Sequence, residues 1–232
     1  TQDVNALRNY GTGGLRMSGH NLKSIKQSFK DRGVFYTPPE LANLLKTYAP
    51  DSPQEVYDPT CGDGGLLGVF DDSVKKYGQE IDPEQLEVAK DNLVNFTGYA
   101  GNTLEDDGFA DKQFDLILAN PPFSIKWEQQ DIDKYNKAGR LPPKSKADYA
   151  FLLHILDKLT DNGTAITLNF PGILYRGNSE VVIRKWLVDM NYIDKIVHIP
   201  GDTFVDTKIA TALVILKKNR GRELVTFVDT SL

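Results

Sequence analysis

A single cysteine, Cys61, among 232 residues leaves no partner for an internal disulfide and fits a reducing compartment. Three histidines accompany it without metal-ligand spacing, so no metal site is expected. There is no surplus of basic charge: the net charge is −5, which does not mark a dedicated nucleic-acid binder by bulk electrostatics. No apolar run is long enough to span a bilayer, so no membrane partner is expected. The opening Thr1-Gln2-Asp3-Val4 lacks the basic flank and apolar core of a secretory signal, and a cytoplasmic location is expected. No internal repeat or low-complexity tract occurs. No glycine loop ends in Gly-Lys-Ser/Thr, which excludes a phosphate-gripping P-loop, and no complete Gly-x-Gly-x-x-Gly supports a nicotinamide-dependent dehydrogenase. The residues present, 40% hydrophobic and 25% charged, support one sizeable globular domain.

Residues 1–33 are rich in Gly, Asn and Lys and weakly periodic, which reads as a loosely ordered N-terminal arm before a catalytic domain over 34–232. From there the pattern alternates. Strands are expected at Glu55–Asp58, Lys76–Ile81, Phe96–Ala100, Phe114–Ala119, Thr164–Phe170, Ile193–Ile199 and Ala210–Lys217, with a further edge strand at Leu224–Val228. Helices are expected over Gly65–Lys75, from Asp82-Pro83 to about Asn95, over Asp148–Thr160 (stopped by Asp161-Asn162-Gly163) and over Glu180–Met190. Alternating β and α elements predict an α/β fold: a seven-stranded, mainly parallel, doubly wound sheet. The last strands are joined without a helix, which predicts a terminal antiparallel hairpin.

Two loops concentrate the chemistry. Asp58-Pro59-Thr60-Cys61-Gly62-Asp63-Gly64-Gly65 joins the first strand to the helix expected after it, and its glycines permit a tight turn and close approach of a ligand. Asp58 and Asp63 would repel a pyrophosphate but suit the cationic amine of an amino-acid ligand. Glu80 ends the second strand, where an acid commonly grips ribose hydroxyls. Together these suit a nucleoside with an amino-acid tail, S-adenosyl-L-methionine; alone, the loop also reads as a structural turn with capping aspartates. The second loop, Asn120-Pro121-Pro122-Phe123, comes directly after the apolar run Phe114–Ala119, so it sits at the carboxyl end of a buried strand. Its two prolines fix two φ angles and remove two backbone donors, leaving a stiff loop rich in acceptors. Asn120 adds an amide oxygen and Phe123 a flat apolar face, a combination suited to a planar ring with an exocyclic amine. A proline-rich turn ending a strand is the plainer reading. Cys61 reads as a space-filling residue and Trp127, Tyr149 and Trp186 as packing residues.

On these residues the chain resembles the amino-type (N6-adenine) DNA methyltransferases, in particular the modification subunit of type I restriction-modification systems. Gly33-Val34-Phe35-Tyr36-Thr37-Pro38 is similar to that family's motif X, and Asp58 through Leu67 to motif I. Gly78-Gln79-Glu80-Ile81-Asp82 is similar to motif II and Gly101-Asn102-Thr103-Leu104 to motif III. Asn120–Phe123 matches motif IV, Asp148-Tyr149-Ala150-Phe151-Leu152 resembles motif V, and Gly201-Asp202-Thr203-Phe204 resembles motif VIII. Phe170–Gly177 and Ile183-Arg184-Lys185-Trp186-Leu187 are also typical of these subunits. The resemblance covers about residues 33–218, with the motifs in order. It implies a Rossmann-like class I fold and a cofactor site drawn from Phe35, Tyr36, Thr37, Asp58, Thr60, Gly62, Gly64, Glu80, Ile81, Asn102 and Asn120. It places Glu80 on the ribose and position 102 at the cofactor's adenine amine, where the family usually has Asp. It implies catalysis by Asn120, Pro121, Pro122 and Phe123, with Phe123 and Phe204 against an extruded base. Such subunits are about twice this length, so a truncated core or a minimal relative is expected. DNA, a specificity subunit and, as a further candidate, a restriction subunit are the implied partners.

The expected chemistry is methyl transfer to adenine N6 of a flipped-out base, without a strong general base. The run Lys134 to Lys146 carries Lys134, Lys137, Arg140, Lys144 and Lys146 with no acid among them. It suits a phosphate backbone, and equally a solvated loop; Lys144 and Lys146 are the nominated DNA contacts. Two other readings share these loops: a methyltransferase acting on protein glutamine or RNA, and a cofactor-binding but catalytically idle module of a restriction complex.

Overall fold

The computed structural model describes residues 37–201, 203 and 210–230. The arm over 1–33, together with Phe35, Tyr36 and Phe204, lies outside the described residues.

The chain begins its described part with α1 (Pro39–Lys46), then β1 (Glu55–Asp58), a 3-10 turn (Leu67–Val69), β2 (Lys75–Glu80), α2 (Pro83–Asn92) and β3 (Phe96–Ala100). Next come β4 (Phe114–Ala119), the single-turn α3 (Asp133–Asn136), α4 (Asp148–Lys158) and β5 (Leu159–Asn169). A second 3-10 turn (Pro171–Leu174), α5 (Ser179–Asp189), β6 (Ile193–Ile199), β7 (Thr211–Lys217) and β8 (Thr226–Asp229) complete it. The strands form one sheet in the order β3-β2-β1-β4-β5-β7-β6-β8. β1 pairs in parallel with β2 on one side and β4 on the other, with Tyr57 opposite Ile117. The strand order reverses between β1 and β4, so their carboxyl-end loops border a crevice, the usual ligand position in such sheets.

Neighbouring residues of a strand serve opposite faces, and the core divides accordingly. On one face Ile117, Ala165 and Val214 pack with Tyr149, Leu152, Leu153 and Leu156 of α4 and Ile183 and Leu187 of α5. On the other, Leu116, Leu118, Ile166 and Leu213 pack with Leu41 and Leu45 of α1 and Leu86 and Ala89 of α2. Burial on both faces explains why β4 is apolar at every position but Asp115, which is exposed.

Two expectations are corrected. The helix expected over Gly65–Lys75 is instead a set of turns around the 3-10 segment Leu67–Val69, and Phe70 is already extended (φ −95°, ψ 148°). Leu66, Leu67, Phe70 and Val74 are buried at near-helical spacing, but Gly64, Gly65 and Gly68 weaken a helix there. The further edge strand expected at Leu224–Val228 forms as Thr226–Asp229, the eighth of the sheet, in parallel with β6. The antiparallel hairpin is β6–β7, and β7 is inserted between β5 and β6, pairing antiparallel with both. Asp161-Asn162-Gly163, expected to stop the helix, lies within β5, which continues from α4 without a gap. Helix α1 was not anticipated, although Pro39 at its first turn, Glu40 after it and the buried Leu41/Leu45 pair are its signals.

Candidate functional site

The glycine loop after β1 is shaped by backbone. Gly62 (φ +53°) and Gly64 (φ +89°) occupy left-handed conformations that side chains disfavour. At Gly64 a Cβ would also stand 2.7 Å from Leu93 Cδ1, so the position is closed twice over. The Cys61 N–H donates to the Gln79 carbonyl (2.9 Å), and the Gly62 N–H donates to Glu80 Oε2 (2.9 Å). Glu80 Oε1 accepts from the Asp82 N–H (2.9 Å), so this carboxylate ties the glycine loop to the start of α2. Asp58 lies beneath the loop, 1% exposed, accepting from the Thr60 N–H (2.9 Å). Burial, opposed by that hydrogen bond and reinforced by Glu80, pushes its carboxyl up to about 7. Asp63 Oδ1 accepts from the Gly65 N–H (3.1 Å). Cys61 is buried and burial pushes its thiol up, so it fills space rather than acting as a nucleophile.

The turn after β3 forms the floor. Asn102 Oδ1 accepts from the Leu104 N–H (3.1 Å), and Asn102 Nδ2 donates to Glu105 Oε1 (2.8 Å). The buried Thr103 hydroxyl donates to the Pro59 carbonyl, locking this turn to the glycine loop.

The loop after β4 is held by side chains. Asn120 Nδ2 donates to the buried Thr37 Oγ1 (3.0 Å). Asn120 Oδ1 and the Pro121 carbonyl have no protein donor among the described residues. Past Phe123 the chain turns at Ser124 (φ +54°), whose N–H donates to Asp148 Oδ1 (3.3 Å) at the head of α4. Arg176 lies 3.3 Å from Asp148 Oδ2 and grips Glu180 through two bonds of 2.7 and 2.9 Å. Asp148 and Glu180 are both buried, so Arg176 neutralises charge that the fold would otherwise strand. Phe123 is half-buried against the core face carrying α1 and α2.

The excursion 125–147 closes on itself. Ala147 N–H donates to the Ile125 carbonyl (2.8 Å), and Trp127 donates from its backbone to Lys144 O (3.1 Å) and from its ring to Pro143 O (3.0 Å). The basic run divides here. Lys134 and Lys137 turn to Asp107 and Asp157, whereas Arg140 and Lys144 are exposed and Lys146 is half-buried. Lys134 also lies 3.4 Å from the buried His154, whose imidazole burial holds well below its ordinary value.

These pieces enclose a cleft of about 350 Å³. Of the residues nominated from sequence, Thr60, Gly62, Glu80, Ile81, Asn102, Asn120 and Pro122 line it. Thr37, Asp58, Gly64, Pro121, Phe123, Lys144 and Lys146 do not line it, Thr37 reaching its wall through the bond to Asn120. Phe35, Tyr36 and Phe204 lie outside the described residues. Asp82, Glu105, Lys126 and Phe151 line the cleft without having been nominated, and so does Trp127, read as a packing residue near enough to the catalytic loop to merit a test. The wall pairs an exposed Ile81 with the carboxylates of Glu80, Asp82 and Glu105, a surface for a flat ring and hydroxyl or amine donors. Among the described residues no cluster of His, Cys, Asp or Glu is arranged to hold a metal ion.

The family model described as N-6 DNA Methylase matches residues 22–232. The chain is 36% identical to the type I restriction enzyme MpnII methylase subunit of Mycoplasma pneumoniae, over 87% of this chain and 43% of that protein. It is 29% identical to the HindI methylase subunit of Haemophilus influenzae, over 86% and 50%. Among solved structures, it superposes on the methyltransferase subunit of a type I restriction-modification system from Streptococcus thermophilus with a TM-score of 0.75 and 32% identity, covering 93% of this chain and 53% of that one. The chain thus spans about half the length of the curated relatives it matches.

Proposed function

This chain belongs to the N-6 DNA methylase family, and from that premise we propose that it transfers a methyl group from S-adenosylmethionine to N6 of adenine in DNA, within a restriction-modification system. The observation that carries the reading is that Asn120 lies on the wall of the same cleft as Gly62, Glu80 and Asn102. Cofactor residues and the amine-polarising loop therefore share one space.

When bound, S-adenosylmethionine supplies an electrophilic sulfonium methyl. The residues fit it: Glu80 keeps acceptor capacity for ribose hydroxyls beyond its two backbone bonds, Ile81 offers an apolar plate, and the glycine loop presents backbone without side chains. Asp63 beside that loop favours a cationic amino-acid tail.

A base inside a duplex is out of reach, so the target nucleotide is extruded, at a cost of a few kcal/mol. Phe123 and Phe204 are the stacking residues of this reading, each contributing about 1–3 kcal/mol by analogy with single-strand binding. The adenine amine is a weak nucleophile because its lone pair is delocalised into the ring. Asn120 Oδ1 and the Pro121 carbonyl accept its two hydrogens and localise that pair. Thr37 on the amide nitrogen and the two prolines hold these acceptors in place before the base arrives, so little reorganisation remains. No histidine among the described residues lines the cleft, consistent with a proton that becomes acidic only as transfer proceeds. Arg140, Lys144 and Lys146 track the phosphate backbone. Sequence choice comes from a specificity subunit, with a restriction subunit as a further partner.

The test is tritium transfer from labelled S-adenosylmethionine to DNA, RNA and a translation release factor, with and without the co-expressed specificity subunit. Label recovered as N6-methyladenine in DNA is the expected result. Label confined to RNA or to glutamine would overturn the reading.

A further inference from the structure

We propose that Glu105, and not the residue at position 102, is the group that selects the adenine ring of the cofactor. The inference rests on the cofactor reading above.

The relevant feature is the orientation of Asn102. Its amide is fixed by partners that admit one arrangement: the Leu104 N–H can only donate, so it faces Oδ1, and the Glu105 carboxylate can only accept, so it faces Nδ2. The Asn102 oxygen therefore closes its own turn. No charge remains at position 102, where the resembled family usually carries a carboxylate. A carboxylate stands three residues further on, and Glu105 lies on the wall of the same cleft. Asn102 Nδ2 holds its Oε1, and its Oε2 has no protein partner among the described residues. Asn102 is thus a positioning residue and Glu105 the acceptor. The pair places a charged acceptor next in sequence to Thr103 and Leu104, on the wall of the cleft that Gly101 and Ile81 also line. An exocyclic amine donates to such a group; a ring carbonyl at the same position is repelled by it.

The test uses S-adenosylhomocysteine and its hypoxanthine counterpart, S-inosylhomocysteine, which has a carbonyl in place of the amine. Calorimetry compares the two ligands on wild type, Glu105→Ala and the double variant Asn102→Asp/Glu105→Ala. Wild type is expected to prefer the adenine compound by about tenfold, the scale of one charge-assisted hydrogen bond at a partly solvated site. Glu105→Ala is expected to lose that preference by weakening the adenine compound while leaving the hypoxanthine compound equal or tighter. The double variant, with its carboxylate back at position 102, is expected to regain the preference. A structural role would weaken both ligands alike and would not be rescued. Glu105 is exposed, so its truncation is not expected to unfold the chain. An undiminished preference in Glu105→Ala, or equal loss for both ligands, would overturn the inference while leaving the cofactor reading intact. Failure of wild type to bind either ligand would overturn both.

Discussion

The two loops that meet at the cleft leave adjacent strands, β1 and β4, yet they are held in opposite ways. The glycine loop is fixed through its backbone, by left-handed glycines and by N–H groups that donate to Gln79 and Glu80. The Asn120–Ser124 loop is fixed through side chains, by Thr37 on Asn120 and by Asp148 and Arg176 behind Ser124. The contrast matches the two tasks. A loop that cradles a ligand works best as bare backbone, since any side chain would occupy the ligand's place. A loop that polarises a ligand must aim particular acceptors, and anchoring side chains do that. The first loop should therefore fail on adding atoms, the second on removing them.

Removing Arg176 is expected to have the largest effect. Arg176→Ala leaves the buried carboxylates of Asp148 and Glu180 facing each other without a cation, at a cost of about 3–5 kcal/mol. Denaturant unfolding would show it, and an unchanged midpoint would mean that the network does not brace the loop. Asn120→Ala is expected to slow methyl transfer by at least about a hundredfold, the scale of one preorganised polar contact at a reacting centre. Cofactor affinity should stay within about threefold, and a parallel loss of binding would move Asn120 from catalysis to cofactor binding. On the backbone side, Gly64→Ala forces φ +89° on a side chain and drives Cβ to 2.7 Å from Leu93. Gly78→Ala would meet Cys61 Sγ, also at 2.7 Å. Each is expected to lower stability by about 1–3 kcal/mol, read in the same unfolding experiment. A neutral result at Gly64 would remove the case that this loop is set by backbone.

The effect that depends on pH belongs to Asp58. In the unfolded chain it loses its proton near 3.8, whereas the fold retains the proton up to about 7. Between those values the native state binds more protons than the unfolded chain, so this residue lowers stability progressively as pH rises from about 4 to 7. Asp58→Asn should remove that slope: the variant gains on wild type across the window and holds its gain above it. A pH-independent difference between the two would show that Asp58 loses its proton in the fold at the same pH as in the unfolded chain.

The strands were legible because their signal is local. Phe114–Ala119 and Ile193–Ile199 match their expected bounds residue for residue, and Asp82-Pro83 caps α2 as its sequence implies, Asp82 Oδ1 accepting from the Glu84 N–H. The Gly65–Lys75 segment misled because apolar spacing alone does not distinguish a helix from a chain of turns burying the same residues. β7 could be recognised as a strand but not placed between β5 and β6, since its partners are distant in sequence. Within the cleft, Glu80 and Asn120 were recognisable from their positions at the carboxyl ends of strands, and Asn102 from the family resemblance. Lys126 was not, because its position depends on the closure of the 125–147 excursion by the Ala147–Ile125 bond. The same non-local folding divides the basic run, turning Lys134 and Lys137 to acids that the run itself does not contain. Asp58, expected to suit a cationic amine, turns its side chain inward instead, where the Thr60 N–H satisfies it.

The most direct test of the shared cleft is a crystal structure of the chain with S-adenosylhomocysteine. Its ribose against Glu80, its ring beside Ile81 and Asn102, and its sulfur facing Asn120 across the cleft is the expected arrangement. A ligand bound elsewhere, or one whose sulfur is walled off from Asn120, would contradict the account.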